Sequence, residues 1–176
     1  MLAAGLLALA GCGPPSPRDM SSSEVAAELR KVRIEPGLWQ TDSRMIDASG
    51  PNLPREARAE MLTRGRSVRY CITPERAAHP EGSFLQMHRG SRCAFRDYST
   101  EGGRVSGWMR CTGGGLPGVI TTTMEGRHTP TYYEVTMRME STGMPAGADL
   151  IITGHTVARR IGQCPAPRPA APAARR

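Results

Sequence analysis

The chain has 176 residues, a formal net charge of +7, five cysteines, 20 glycines and 15 prolines. That length suits one domain. The glycine and proline content excludes a long coiled coil, and no stretch reaches the ~20 apolar residues of a transmembrane helix.

The first residues, Met1 to Ala10, are apolar or small and end in Leu9-Ala10-Gly11-Cys12. A run of about ten apolar residues is the length of a signal-peptide core. The ending resembles a bacterial lipobox, so residues 1–11 are expected to be removed and Cys12 to carry lipid, palmitate included. Residues 12–21, with Pro14, Pro15 and Pro17, read as a tether. Export also changes the meaning of the charge. All but Lys31 of the 23 basic residues are arginine, and three of them lie in the Pro/Ala-rich stretch 166–176 (Arg168, Arg175, Arg176), which is expected to be disordered. Outside the cytoplasm the partners for such a balance are anionic envelope components, with no nucleic acid.

Ser21 and Glu24 stand at capping-box spacing, and Val25, Leu29 and Val32 follow at helical spacing, predicting a helix over 22–33. Pro36 ends it. Residues 37–45 form a first strand with Trp39, Thr41, Ser43 and Met45 on one face. Residues 54–65 begin with Pro, end with Gly and hold helix formers between, predicting a second, exposed helix. A strand at 68–72 carries Cys71. Thr73-Pro74 then opens a helical turn, and a weak strand is expected at 83–86.

The cysteines after Cys12 number four, and an even count in an exported chain implies two disulfides. Residues 92–99 and 104–112 read as a hairpin around Glu101-Gly102-Gly103. Pairing Thr100 with Arg104 sets Cys93 opposite Cys111, within disulfide reach. It also sets Phe95 opposite Met109, and Arg96 opposite Trp108 as a cation–π pair. Cys71 and Cys164 remain as partners. Further strands are expected at 119–125, 132–140 and 150–157. In the second of these Tyr133, Val135, Met137 and Met139 share what reads as a core face. These elements predict a mainly β domain over 22–165, an antiparallel meander of about seven strands forming a curved sheet or open barrel, with two short helices.

Four segments in this order carry a resemblance: Pro36-Gly37-Leu38-Trp39, Cys71-Ile72-Thr73-Pro74-Glu75, the Cys93–Cys111 hairpin with Trp108, and Arg160-Ile161-Gly162-Gln163-Cys164. Together they resemble the proteobacterial envelope family catalogued as domain of unknown function thirty-six seventeen, over roughly residues 34–165. The resemblance implies an exported protein, often a lipoprotein, with no established activity and no catalytic residues to carry over.

Chemistry-bearing patterns are sparse. The sequence has no CxxC, HExxH or Gly-x-Ser-x-Gly, and Gly113-Gly114-Gly115 lacks the Lys and Ser/Thr of a phosphate cradle. His79, His88, His128 and His155 are scattered, although His128 and His155 lie near strand ends and could meet. Thioether ligation of copper by Met137 and Met139 is set aside, because their strand neighbours read as core. The expectation is therefore a non-catalytic protein without cofactor or metal, anchored by Cys12 to the periplasmic face of a bacterial membrane, the outer one. Its role would be a binding module for an apolar ligand or envelope component. The alternatives are a structural or interaction protein using exposed strand edges and basic surface, and, ranked last, an enzyme.

Overall fold

The computed structural model describes residues 17–82 and 90–166. Among these residues eight strands form one antiparallel sheet that does not close. They are β1 (Asp19–Met20), β2 (Gly37–Ser49), β3 (Gly65–Ile72), β4 (Ser91–Ser99), β5 (Arg104–Gly113), β6 (Leu116–Thr129), β7 (Tyr132–Thr142) and β8 (Leu150–Gly162). Their order across the sheet is β1-β4-β5-β6-β7-β8-β2-β3. The expected meander thus runs unbroken from β4 to β8, and β2 then joins beside β8 with β3 outside it.

Three helices lie wholly within the described residues: α1 (Ser22–Arg30), α2 (Arg55–Thr63) and α3 (Pro74–Ala78). The capping box at the start of α1 forms as its spacing predicts. Ser21 Oγ accepts from the Glu24 backbone N–H at 3.3 Å, and Glu24 Oε2 accepts from the Ser21 N–H at 2.7 Å. Thr73 caps α3 by accepting from the Arg76 N–H at 3.2 Å, with Pro74 at its first position. Among the described residues no helix is long and apolar enough to cross a membrane.

In an antiparallel sheet, residues directly opposite each other share a face. The buried core sits where α1 lies on that face over β4 and β5. Val25 of α1 packs with Phe95, Tyr98, Met109 and Cys111, flanked by Met20, Leu29, Cys93 and Met124. Thr100 adds a hydrogen bond from its hydroxyl to the Glu28 carbonyl at 2.9 Å.

Both expected disulfides are present. Cys93 and Cys111 stand directly opposite on β4 and β5, with Cα atoms 4.1 Å apart. Cys71 of β3 bridges to Cys164, just beyond β8, with a Cα separation of 5.6 Å. Phe95 faces Met109, and the Arg96 guanidinium lies 4.5 Å from the Trp108 ring centroid.

The hairpin departs from expectation at one place. Thr100 does not pair with Arg104; instead Ser99 faces Ser106. The cause is a bulge at Asp97, whose φ of 48° inserts one extra residue into β4. Its backbone and carboxylate both bind Arg18, which aligns the two-residue strand β1 against Arg96 and Phe95. That strand lies within the stretch whose composition reads as tether. Three sequence expectations fall outside the described residues: the removed leader with Cys12, the strand at 83–86, and most of the basic tail.

Candidate functional site

Register places a continuous apolar floor on the face that carries α1. Three rows cross the middle strands there. Val135 of β7 faces Thr156 of β8, which faces Ser43 of β2. One step along, Met124 of β6 faces Met137, which faces Gly154, which faces Met45. Next, Thr122 faces Met139, which faces Ile152, which faces Ala48. A bulge between Met45 and Asp47 keeps both Met45 and Ala48 on this side. Gly154 sits in the second row without a side chain, and a Cβ built on it would find only the Arg44 carbonyl, at 3.9 Å.

The core under α1 extends to Met124 and stops short of Met137 and Met139. Met137 and Met139 are accordingly 37% and 40% exposed. This corrects the reading of both residues as core. Their strand alternation identifies the apolar face correctly, but a face becomes core only where another layer covers it. What stands here is an open trough of about 400 Å³, lined by Met45, Met137, Met139, Ile152, Gly154 and Thr156. Arg64 and Arg66 also line it, Arg44 borders it through its backbone, and among the described residues no carboxylate does.

Four residues back along β7 the same face is closed by aromatic packing. Trp39 is 0% exposed, stacks on Tyr133 with ring centroids 6.2 Å apart, and donates from Nε1 to the Glu35 carbonyl at 3.0 Å. Ala158, also 0% exposed, faces Tyr133 across the strands. Burial pushes the Tyr133 hydroxyl up to about 12, and burial does the same to Tyr98. A second apolar hollow of about 140 Å³ lies at this end, between Leu29, Val32 and Ile34 on one side and Trp39, Tyr133 and Val135 on the other.

The opposite face of the sheet is polar. Glu134 accepts from the Tyr132 hydroxyl at 2.9 Å and from Arg127 Nε at 2.9 Å, and its other oxygen lies 2.9 Å from His155 Nε2. The hydrogen bonds from His155, Tyr132 and Arg127 hold the Glu134 carboxyl at about 2, well below its ordinary value. A carboxylate so fully engaged at so low a pKa is a poor proton acceptor near neutrality. His128 projects from the other face, with Nε2 3.2 Å from the Thr100 carbonyl, so His128 and His155 are not brought together. His79 lies 3.5 Å from Glu81, and His88 is outside the described residues. Among the described residues no group of three or more His, Cys, Asp or Glu side chains could hold a metal ion.

The sequence-predicted site residues that are described, Cys71, Cys93, Cys111 and Cys164, therefore frame the fold and line none of the trough. Sequence reasoning did not single out Gly154, Arg64 or Arg66. A glycine inside an otherwise β-forming run is the one signal that points here, since it marks a place where something else approaches the backbone.

A family model described as protein of unknown function (DUF3617) matches residues 34–164. No curated protein and no solved structure matches the chain.

Proposed function

The chain belongs to the DUF3617 family, whose description assigns no activity, and we propose that it is an exported, lipid-anchored binding module that takes an apolar ligand into the open trough. The observation that carries this reading is the uncovered methionine floor. Met137 and Met139 stay exposed inside a sheet that buries residues of the same face elsewhere. An apolar hollow of this size falls in the range of small-ligand sites. Methionine suits the task, because its flexible thioether adapts to irregular apolar shapes. Each ligand methylene moved from water onto such a floor contributes about 0.8 kcal/mol. The edge strand β3 favours this reading over one based on strand addition, since Arg66 and Arg69 place charge along the open edge. The Leu9-Ala10-Gly11-Cys12 ending supports the anchor, with Cys12 as the lipidated residue at a bacterial envelope membrane.

Native mass spectrometry of the protein extracted from its own membranes tests both parts. It should show acyl mass on a chain beginning at Cys12 and a retained apolar molecule. In solution, the uncharged fluorophore N-phenylnaphthylamine should bind the purified protein, and Gly154→Trp should abolish that binding without unfolding the sheet. Binding unaffected by Gly154→Trp would place the apolar site elsewhere.

A further inference from the structure

Resting on the trough as an apolar site, we infer that its occupant is a single-chain amphiphile with a carboxylate head, a long-chain fatty acid, whose head is held by Arg66 at the mouth. Charge complementarity carries this. Arg64 and Arg66 line the trough with no acidic side chain among the described residues, whereas Arg44, opposite His155, meets it through its backbone. Arg64 is ion-paired with Glu60. Arg66 forms no ion pair with any described residue.

Register gives Arg66 its position. It stands opposite Ser43, at the β3 end of the row that runs through Thr156 to Val135. Ser43 Oγ and Thr156 Oγ1 lie 3.0 Å apart and bond each other. That bond satisfies one of the two hydroxyl donors between head and chain within the protein. The methionine row begins one step further along the same face. A head on Arg66 thus leaves the chain on Met45, Met137 and Met139, beside the side-chain-free slot at Gly154. The planar guanidinium fork matches a carboxylate with two parallel hydrogen bonds. A trough of about 400 Å³ is of the size of one acyl chain.

Displacement of bound N-phenylnaphthylamine by three ligands of equal chain length tests the assignment: laurate, dodecanol and dodecyltrimethylammonium. Laurate should displace the probe at about tenfold lower concentration than dodecanol, as a charge-assisted hydrogen bond is worth, and dodecyltrimethylammonium should be weakest. Arg66→Gln should bring laurate to within about twofold of dodecanol, the residue expected from the exposed cations that remain. Arg69 lies on the opposite face, donating to Gln40 at 3.0 Å. Arg69→Gln removes the same charge and should leave the preference intact. Laurate binding no tighter than dodecanol, or a preference that survives Arg66→Gln, overturns the head-group assignment while the apolar site stands. Failure of the fluorophore itself to bind overturns both.

Discussion

Glu134 shows how one residue ties the polar face together. Its neighbours on three sides are a phenol, an imidazole and a guanidinium, and all three favour its charged form. A carboxyl held at about 2 in the folded protein, against an ordinary 4.5, stabilises the fold fully above about pH 4.5. That contribution drains away as the pH falls from there through 2. Denaturation midpoints measured down this range should fall for the parent protein. Glu134→Gln should flatten that part of the profile while lowering stability at neutral pH. An unchanged acid slope in the variant would show that other carboxyls set it. Periodicity reveals that Glu134 lies on the wet face of β7. It does not reveal its partners, because Arg127 and His155 arrive from neighbouring strands whose pairing only the folded sheet defines.

At the scale of elements, glycines divide into those the sheet needs and those it leaves free, Gly154 among them. Gly126 on β6 faces Val135, and a Cβ there would fall onto the Glu134 carbonyl and lie 2.9 Å from the Val135 backbone. Gly107 on β5 lies beneath the Tyr98 ring. Gly154 has neither obstacle, nor a positive φ. Alanine at Gly126 should therefore destabilise by ~2 kcal/mol or more through forced overlap. Alanine at Gly154 should be neutral or stabilise by up to ~1 kcal/mol, because the strand loses the entropy cost of glycine. Urea denaturation of the two variants checks the contrast, and equal losses would refute the distinction. Element boundaries were legible wherever local chemistry sets them, as with the Ser21–Glu24 capping box and the Thr73-Pro74 start of α3. The Asp97 bulge was not, since its left-handed backbone answers to Arg18, distant in sequence. Nor was β1, two residues long and formed only against β4.

The whole molecule is a sheet with two stitches of different reach. Cys93–Cys111 joins adjacent strands of one hairpin, 18 residues apart in sequence. Cys71–Cys164 joins the edge strand β3 to the segment leaving β8, 93 residues apart, with β2 lying between those strands. Pairing and fold class were legible because cysteine parity and one hairpin register suffice to choose among three connectivities. The uncovered face was not legible. Alternation marks which residues share a side, but whether a second layer covers them depends on how far α1 extends. Loop-closure entropy then orders the two bridges. Replacing Cys93 and Cys111 together by alanine should cost ~3 kcal/mol, and replacing Cys71 and Cys164 between ~4 and ~5. Against a typical domain stability of ~5–15 kcal/mol, the second loss brings the fold near its threshold. Urea midpoints of the two double variants should fall in that order. The long-range variant should also lose amide protection along β3 first, since β2 is that strand's one ladder partner among the described residues. If the hairpin variant proves the less stable, closure of the large loop is not what Cys71–Cys164 contributes, and the hairpin instead carries the stability of the α1-covered core.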